Sequence, residues 1–140
     1  MKKIVALLWM LLIASPAMAD GSSVPFAMGG RFSRFDPVVA QYNASGELFR
    51  IQGHCQSACT LFLAIRNVCI ERNATLLFHA GGGHGQWAEI SATATNHMLA
   101  AYNAALRNYV TAHHYMDTLE FHSISARDMI SKFGYRACPK

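Results

Sequence analysis

Apolar positions along the chain come in short runs, separated by glycine, proline and small polar residues. That spacing predicts short strands alternating with helices. Val24–Met28 (VPFAM) reads as a first strand and Gly29-Gly30 as the turn after it. Asp36-Pro37 reads as an N-cap followed by proline at the first helical position, Val38, Val39 and Tyr42 supply the apolar face of that helix, and Gly46 ends it. Glu47–Gln52 (ELFRIQ) predicts the next strand, Gly53–Ser57 a turn, and Ala58–Ile65 an apolar helix. Val68–Ile70 and Thr75–His79 predict two further strands, and Gly81-Gly82-Gly83 opens a loop.

The longest predicted helix runs from about Ile90 to Val110, because Met98, Leu99, Tyr102, Leu106, Tyr109 and Val110 share one helical stripe. That stripe is read as core. His113–Ser123 reads as irregular. Ser125 then starts a last short helix with Met129, Ile130 and Phe133 inward, stopped by Gly134. The order predicts one α/β domain with a mostly parallel sheet and flanking helices. No internal repeat or low-complexity tract interrupts it.

The first nineteen residues have a different character. Lys2 and Lys3 precede an unbroken apolar run, Ile4–Ala14, and Ala17-Met18-Ala19 offers the small-x-small pattern of signal cleavage. The run is too short for a membrane span, which takes about 20 residues. Residues 1–19 are therefore expected to be a signal peptide and residues 20–140 the mature domain. The destination is periplasmic or secreted, with no stable membrane span after cleavage. The chain has 12 basic and 8 acidic residues, and Lys2 and Lys3 account for two of the basic ones. No dense basic cluster is left in the mature part, so a nucleic-acid partner is not indicated. With 52% hydrophobic and only 14% charged residues, a disordered chain is excluded.

Export changes the reading of the four cysteines, Cys55, Cys59, Cys69 and Cys138, all in the mature part. An even number in an oxidising compartment predicts disulfides. Three pairings are open; the preferred one joins Cys55 to Cys59 and Cys69 to Cys138. It assumes that the first two share the C-terminal edge of the sheet and Cys69 lies at the opposite edge. The CxxxC spacing argues against a redox pair, and no CxxC pair points to zinc. Among the seven histidines, His79, His84 and His113 or His114 are the conceivable metal ligands. No HExxH spacing or nearby carboxylate accompanies them, so no metal and no cofactor is expected. Asn43-Ala44-Ser45 and Asn73-Ala74-Thr75 match the glycosylation pattern, read as chance in a chain with a bacterial-type leader.

Two residues carry the candidate chemistry. Ser57 stands between the ELFRIQ strand and an apolar helix, where its hydroxyl meets the free N–H groups and partial positive charge of a helix start. Such a place suits an anionic tetrahedral intermediate, although a serine there also serves as a plain N-cap. The segment Gly53-His54-Cys55-Gln56-Ser57-Ala58-Cys59 does not fit the Gly-x-Ser-x-Gly elbow. His79 ends the strand TLLFH. If that strand is parallel to ELFRIQ, both residues face the crevice at the strands' C-terminal ends, where a histidine works as a general base near neutral pH. The other reading of His79 is a residue that closes a turn.

FRIQGHCQSACTLFLA followed by LLFHAGGG resembles the Clp-protease proteolytic-subunit and crotonase-like superfamily, in particular its exported branch. The resemblance spans roughly Val24 to Gly134 and implies a small fold of that type, with Ser57 as nucleophile and His79 as base. It also implies backbone N–H groups of Gly30 and Ala58 as the oxyanion hole, a peptide or protein substrate, and assembly into homo-oligomers. The family's aspartate follows the long helix, which points to Asp117 in HHYMDTLEFHSI, with Glu120 second. Asp128 lies in Ser125-Ala126-Arg127-Asp128, a capping box that serves its own helix. The expected function is an exported serine hydrolase, most simply a peptidase. The alternative is a non-catalytic binding or assembly module of the same fold, since the mature chain is too short for the family's full fold and handle-like insertions.

Overall fold

The computed structural model describes residues 19–83 and 88–140, so the expected signal peptide, apart from Ala19, and His84 lie outside the described residues. The protein is a mixed α/β domain with two three-stranded sheets. The first has the order β1 (Gly21–Ser22), β2 (Phe49–Ile51), β4 (Val68–Ile70), all parallel. The second has the order β3 (His54–Gln56), β5 (Thr75–Phe78), β6 (His122–Ser125). There β3 and β5 are parallel and β6 runs antiparallel to β5. Three of the four strand pairings among the described residues are parallel, as expected, but the strands form two small sheets rather than one, and β6 is antiparallel.

The two sheets are linked by chain that bends from one into the other. β2 passes to β3 through Gln52-Gly53, with Gly53 at φ +60°, a conformation that favours glycine. β4 passes to β5 through residues 71–74. The Asn73 side-chain oxygen accepts from Gly53 N–H at 3.3 Å, and Thr75 N–H donates to the Gly53 carbonyl at 2.8 Å. The two bends therefore fix each other.

Among the described residues, four α-helices accompany the sheets: α1 (Asp36–Ser45), α2 (Ala92–Ala100), α3 (Ala104–Ala112) and α4 (Ala126–Ser131). α1 is closed by Gly46 at φ +72°, as its sequence predicts, but Asp36 is its first helical residue and Phe35, without a side-chain cap bond, takes the N-cap position expected for Asp36. Residues 57–64 wind as a 3₁₀ helix whose Ala58–Leu63 are all buried. An apolar helix of that kind belongs inside the core. Both α1 and α2 pack on it, and the rings of Phe26, Phe35 and Phe49 cluster on its Phe62 at centroid distances of 4.5–5.4 Å.

Three local expectations are corrected. Val24–Phe26 is a 3₁₀ turn rather than a strand. Pro25 has no N–H for a ladder, and the turn lets Phe26 reach Phe35 and Phe62. The predicted turn Gly53–Ser57 contains strand β3. The long helix is two, because the Asn103 side chain accepts from Leu106 N–H at 2.9 Å and caps α3. The predicted stripe nonetheless faces inward, with Met98, Tyr102, Leu106 and Val110 buried. No helix among the described residues is long and apolar enough to cross a membrane.

Two disulfides join Cys55 to Cys59 and Cys69 to Cys138, the preferred pairing. The second ties the end of the described chain to β4, where Ile70 also bridges Ala137. Two bridges in a domain of this size fit an oxidising compartment. Replacing Cys69 and Cys138 together by alanine is expected to lower the unfolding free energy by about 2–5 kcal/mol. Urea denaturation of the double variant measures this.

Candidate functional site

Ser57 opens the 3₁₀ helix directly after β3, and His79 follows the last residue of β5. The register pairs Gln56 with Leu77, so both residues leave neighbouring parallel strands at the same C-terminal rim. Ser57 has φ +55°. A non-glycine residue in the left-handed region is uncommon and is held there only by its surroundings.

Three contacts hold it. The Cys55–Cys59 bond spans the residue, with both cysteines fully buried. The Thr60 hydroxyl donates to the Ser57 carbonyl at 2.8 Å, while the Tyr102 hydroxyl lies 2.7 Å from the Thr60 oxygen and completes the relay as donor. Tyr102 is buried, and this burial pushes its phenol well above the ordinary tyrosine range, against the opposing effect of its hydrogen bond to Thr60. The third contact is Gly29, at φ +72°. A Cβ on Gly29 would stand 2.9 Å from both the Gln56 carbonyl oxygen and the Ser57 Cβ.

The segment before Gly29 is fixed to β3 as well. Gln56 N–H donates to the Ala27 carbonyl at 2.9 Å, and the Gln56 side-chain amide donates to the Met28 carbonyl at 3.1 Å. The Gln56 side-chain oxygen in turn meets the His54 ring at 2.7 Å. The Gly29-Gly30 turn therefore lies alongside Ser57. Gly30, at φ +138°, occupies backbone space favoured by glycine. Among the described residues, neither Gly30 nor Ala58 donates its backbone N–H to another backbone carbonyl; for Ala58 this follows from its place in the first turn of a helix.

His79 is half-buried, and its ring nitrogens are shielded from solvent. The Phe121 ring covers it edge-on at 4.8 Å. Phe121 is there because β6 pairs His122 with Phe78, which sets the preceding residue opposite His79. Beyond the strand, Gly82 forms an antiparallel bridge with Ile90.

The three carboxylates considered for the acid are arranged differently. Asp117 accepts from the His114 ring at 2.6 Å, and both side chains are largely exposed. Its loop is nonetheless tied close to His79, because Ala80 N–H donates to the Thr118 carbonyl at 2.8 Å. Glu120 is exposed in the same loop. Asp128 pairs with Lys132 at 3.1 Å, while its N–H donates to the Ser125 hydroxyl, the N-cap half of the predicted capping box. Among the described residues, no group of three or more His, Cys, Asp or Glu side chains is placed to hold a metal ion.

Three participants escaped the sequence. Thr60 and Tyr102 form the support beneath Ser57, and the signal was available: a tyrosine on a buried stripe needs a partner for its hydroxyl. Phe121 is the third, hidden by the assignment of its segment as irregular. A scan against protein-family models finds no match for the chain, and no curated protein matches it in sequence.

Gly29→Ala is expected to destabilise the protein by more than about 1 kcal/mol, since it adds left-handed strain to a clash with backbone. Thermal unfolding monitored by circular dichroism tests this against Gly46→Ala. The latter shares the positive φ, but nothing lies within 4 Å of the added carbon, so it should be the milder of the two.

Proposed function

We propose that this protein is an exported serine hydrolase acting on peptide or related acyl bonds. Ser57 Oγ attacks the substrate carbonyl while His79 accepts the hydroxyl proton. His79 then returns that proton to the leaving group as the tetrahedral intermediate collapses to an acyl-enzyme. The N–H groups of Gly30 and Ala58 receive the negative oxygen. Water hydrolyses the ester by the same steps in reverse order. Asp117 is assigned to orient the His79 ring; its present pair with His114 is solvent-exposed, and such pairs hold a side chain only weakly.

The single observation that carries this reading is the left-handed backbone of Ser57 at the head of a helix, pressed by Gly29, one parallel strand away from His79. Backbone strain of this kind concentrates at functional sites. The likeness of the Ser57 and His79 segments to Clp-protease and crotonase-like proteins adds to it and extends the proposal to their fold.

A second reading also has an observation in its favour. Asp117 is bonded to His114, and Phe121 covers the imidazole. Both features suit a binding or assembly module that has no turnover.

A fluorophosphonate probe separates the two. Hydrolase chemistry predicts that Ser57 Oγ displaces fluoride and becomes phosphonylated, with labelling abolished in Ser57→Ala. In His79→Ala the labelling rate should fall by about a hundredfold or more. Unlabelled wild-type protein with an intact thermal transition would select the module instead.

A further inference from the structure

A second place on the molecule has the makings of a ligand site, and it lies at the other end of β5. Arg72 belongs to the turn that leads into this strand, and Arg127 to the first turn of α4. The two arginines line one cavity with Ile130, Ser131 and Ala137, and they share a second, adjoining cavity that Asn73 and Ser125 also line. Among the described residues, neither arginine makes an ion pair or a side-chain hydrogen bond.

Local carboxylates do not compensate this charge. Glu71, beside Arg72, is bonded to Arg50 at 2.6 Å. Asp128, beside Arg127 and lining the adjoining cavity, is bonded to Lys132 at 3.1 Å. Glu71 shares Arg50 with Asp20, and Asp128 is paired with Lys132, so among the described residues neither arginine of the recess is bonded to a carboxylate. An anion in the recess would be attracted by both. A guanidinium presents a planar fork of donors that matches carboxylate and phosphate oxygens. The Ser131 hydroxyl adds one further donor, while Ile130 and Ala137 supply an apolar wall.

We propose that the Arg72–Arg127 recess binds a small organic oxyanion, its charged head held between the guanidinium groups and its apolar body resting on Ile130 and Ala137. The site is separate from Ser57 and His79, which lie past the opposite end of the same strand, and it stands whether or not the chain hydrolyses anything.

Titration calorimetry of the folded domain with phenyl phosphate, inorganic phosphate and phenol tests this. Saturable binding of phenyl phosphate is expected, tighter than that of inorganic phosphate and weakening as salt is added. Phenol, without the charge, should not bind. Arg72→Gln and Arg127→Gln should each weaken phenyl phosphate about tenfold or more, and the double variant should abolish it. Both arginines are exposed, so the variants are expected to keep the wild-type thermal transition. Two results overturn the proposal. One is binding that the double variant retains, which would put the anion elsewhere. The other is equal affinity for phenyl and inorganic phosphate, which would remove the apolar wall from recognition.

Discussion

The backbone at Ser57 is the constraint around which the molecule is arranged. A serine left to itself avoids positive φ, since its Cβ crowds the neighbouring carbonyl. Here the conformation is imposed from three directions: by the cysteine pair that brackets it, by Gly29 against its side chain, and by the Tyr102–Thr60 relay on its carbonyl. Each comes from a different part of the chain. Gly29 is brought in by the Ala27 and Met28 carbonyls on Gln56, Tyr102 by the inward stripe of the helices, and the disulfide by β3 itself. A local strain supported by long-range packing is one that the fold as a whole maintains.

The sheets explain how a small domain arranges this. β2–β3 and β4–β5 are two bent runs of chain lying side by side, so each contributes to both sheets. The first halves, β2 and β4, pair in parallel in the first sheet, and Ser57 and His79 follow the second halves, β3 and β5. Bending the runs at Gly53 and Asn73 gives a chain of this length two ladders from four short strands. The antiparallel β6 then closes the far side and delivers Phe121 to the imidazole.

Much of this was legible in the residue pattern, and the failures share a cause. α1 carries its signals in its own sequence, a proline at the start and a glycine at the end, and so it was read correctly apart from the identity of its N-cap. The inward stripe of the long helical region was also local, and only the break at Asn103 escaped. That break depends on a side chain that caps one helix while its amide donates to the distant Phe133 carbonyl at 2.7 Å. β3 and β6 have few of the apolar, β-branched residues that announce a strand; they are strands because β5 lies between them. The placing of Ser57 and His79 on one strand rim was legible in chain order, since each follows a strand that the pattern predicts to be parallel to the other. The partner of Asp117 was not, because a loop without periodicity says little about which histidine its carboxylate meets.

One guanidinium has a further consequence. Arg50 on β2 holds Asp20 and Glu71, each at 2.6 Å, and also donates to the Pro139 carbonyl at 3.0 Å. Residues 20 and 139, near the two ends of the described residues, therefore meet on a single side chain, and the backbone path between them is nearly a closed circle. A gene rewritten to join these positions by a short linker and to open at an exposed loop would keep every ladder and both cystines in place, with only the starting point of the thread moved.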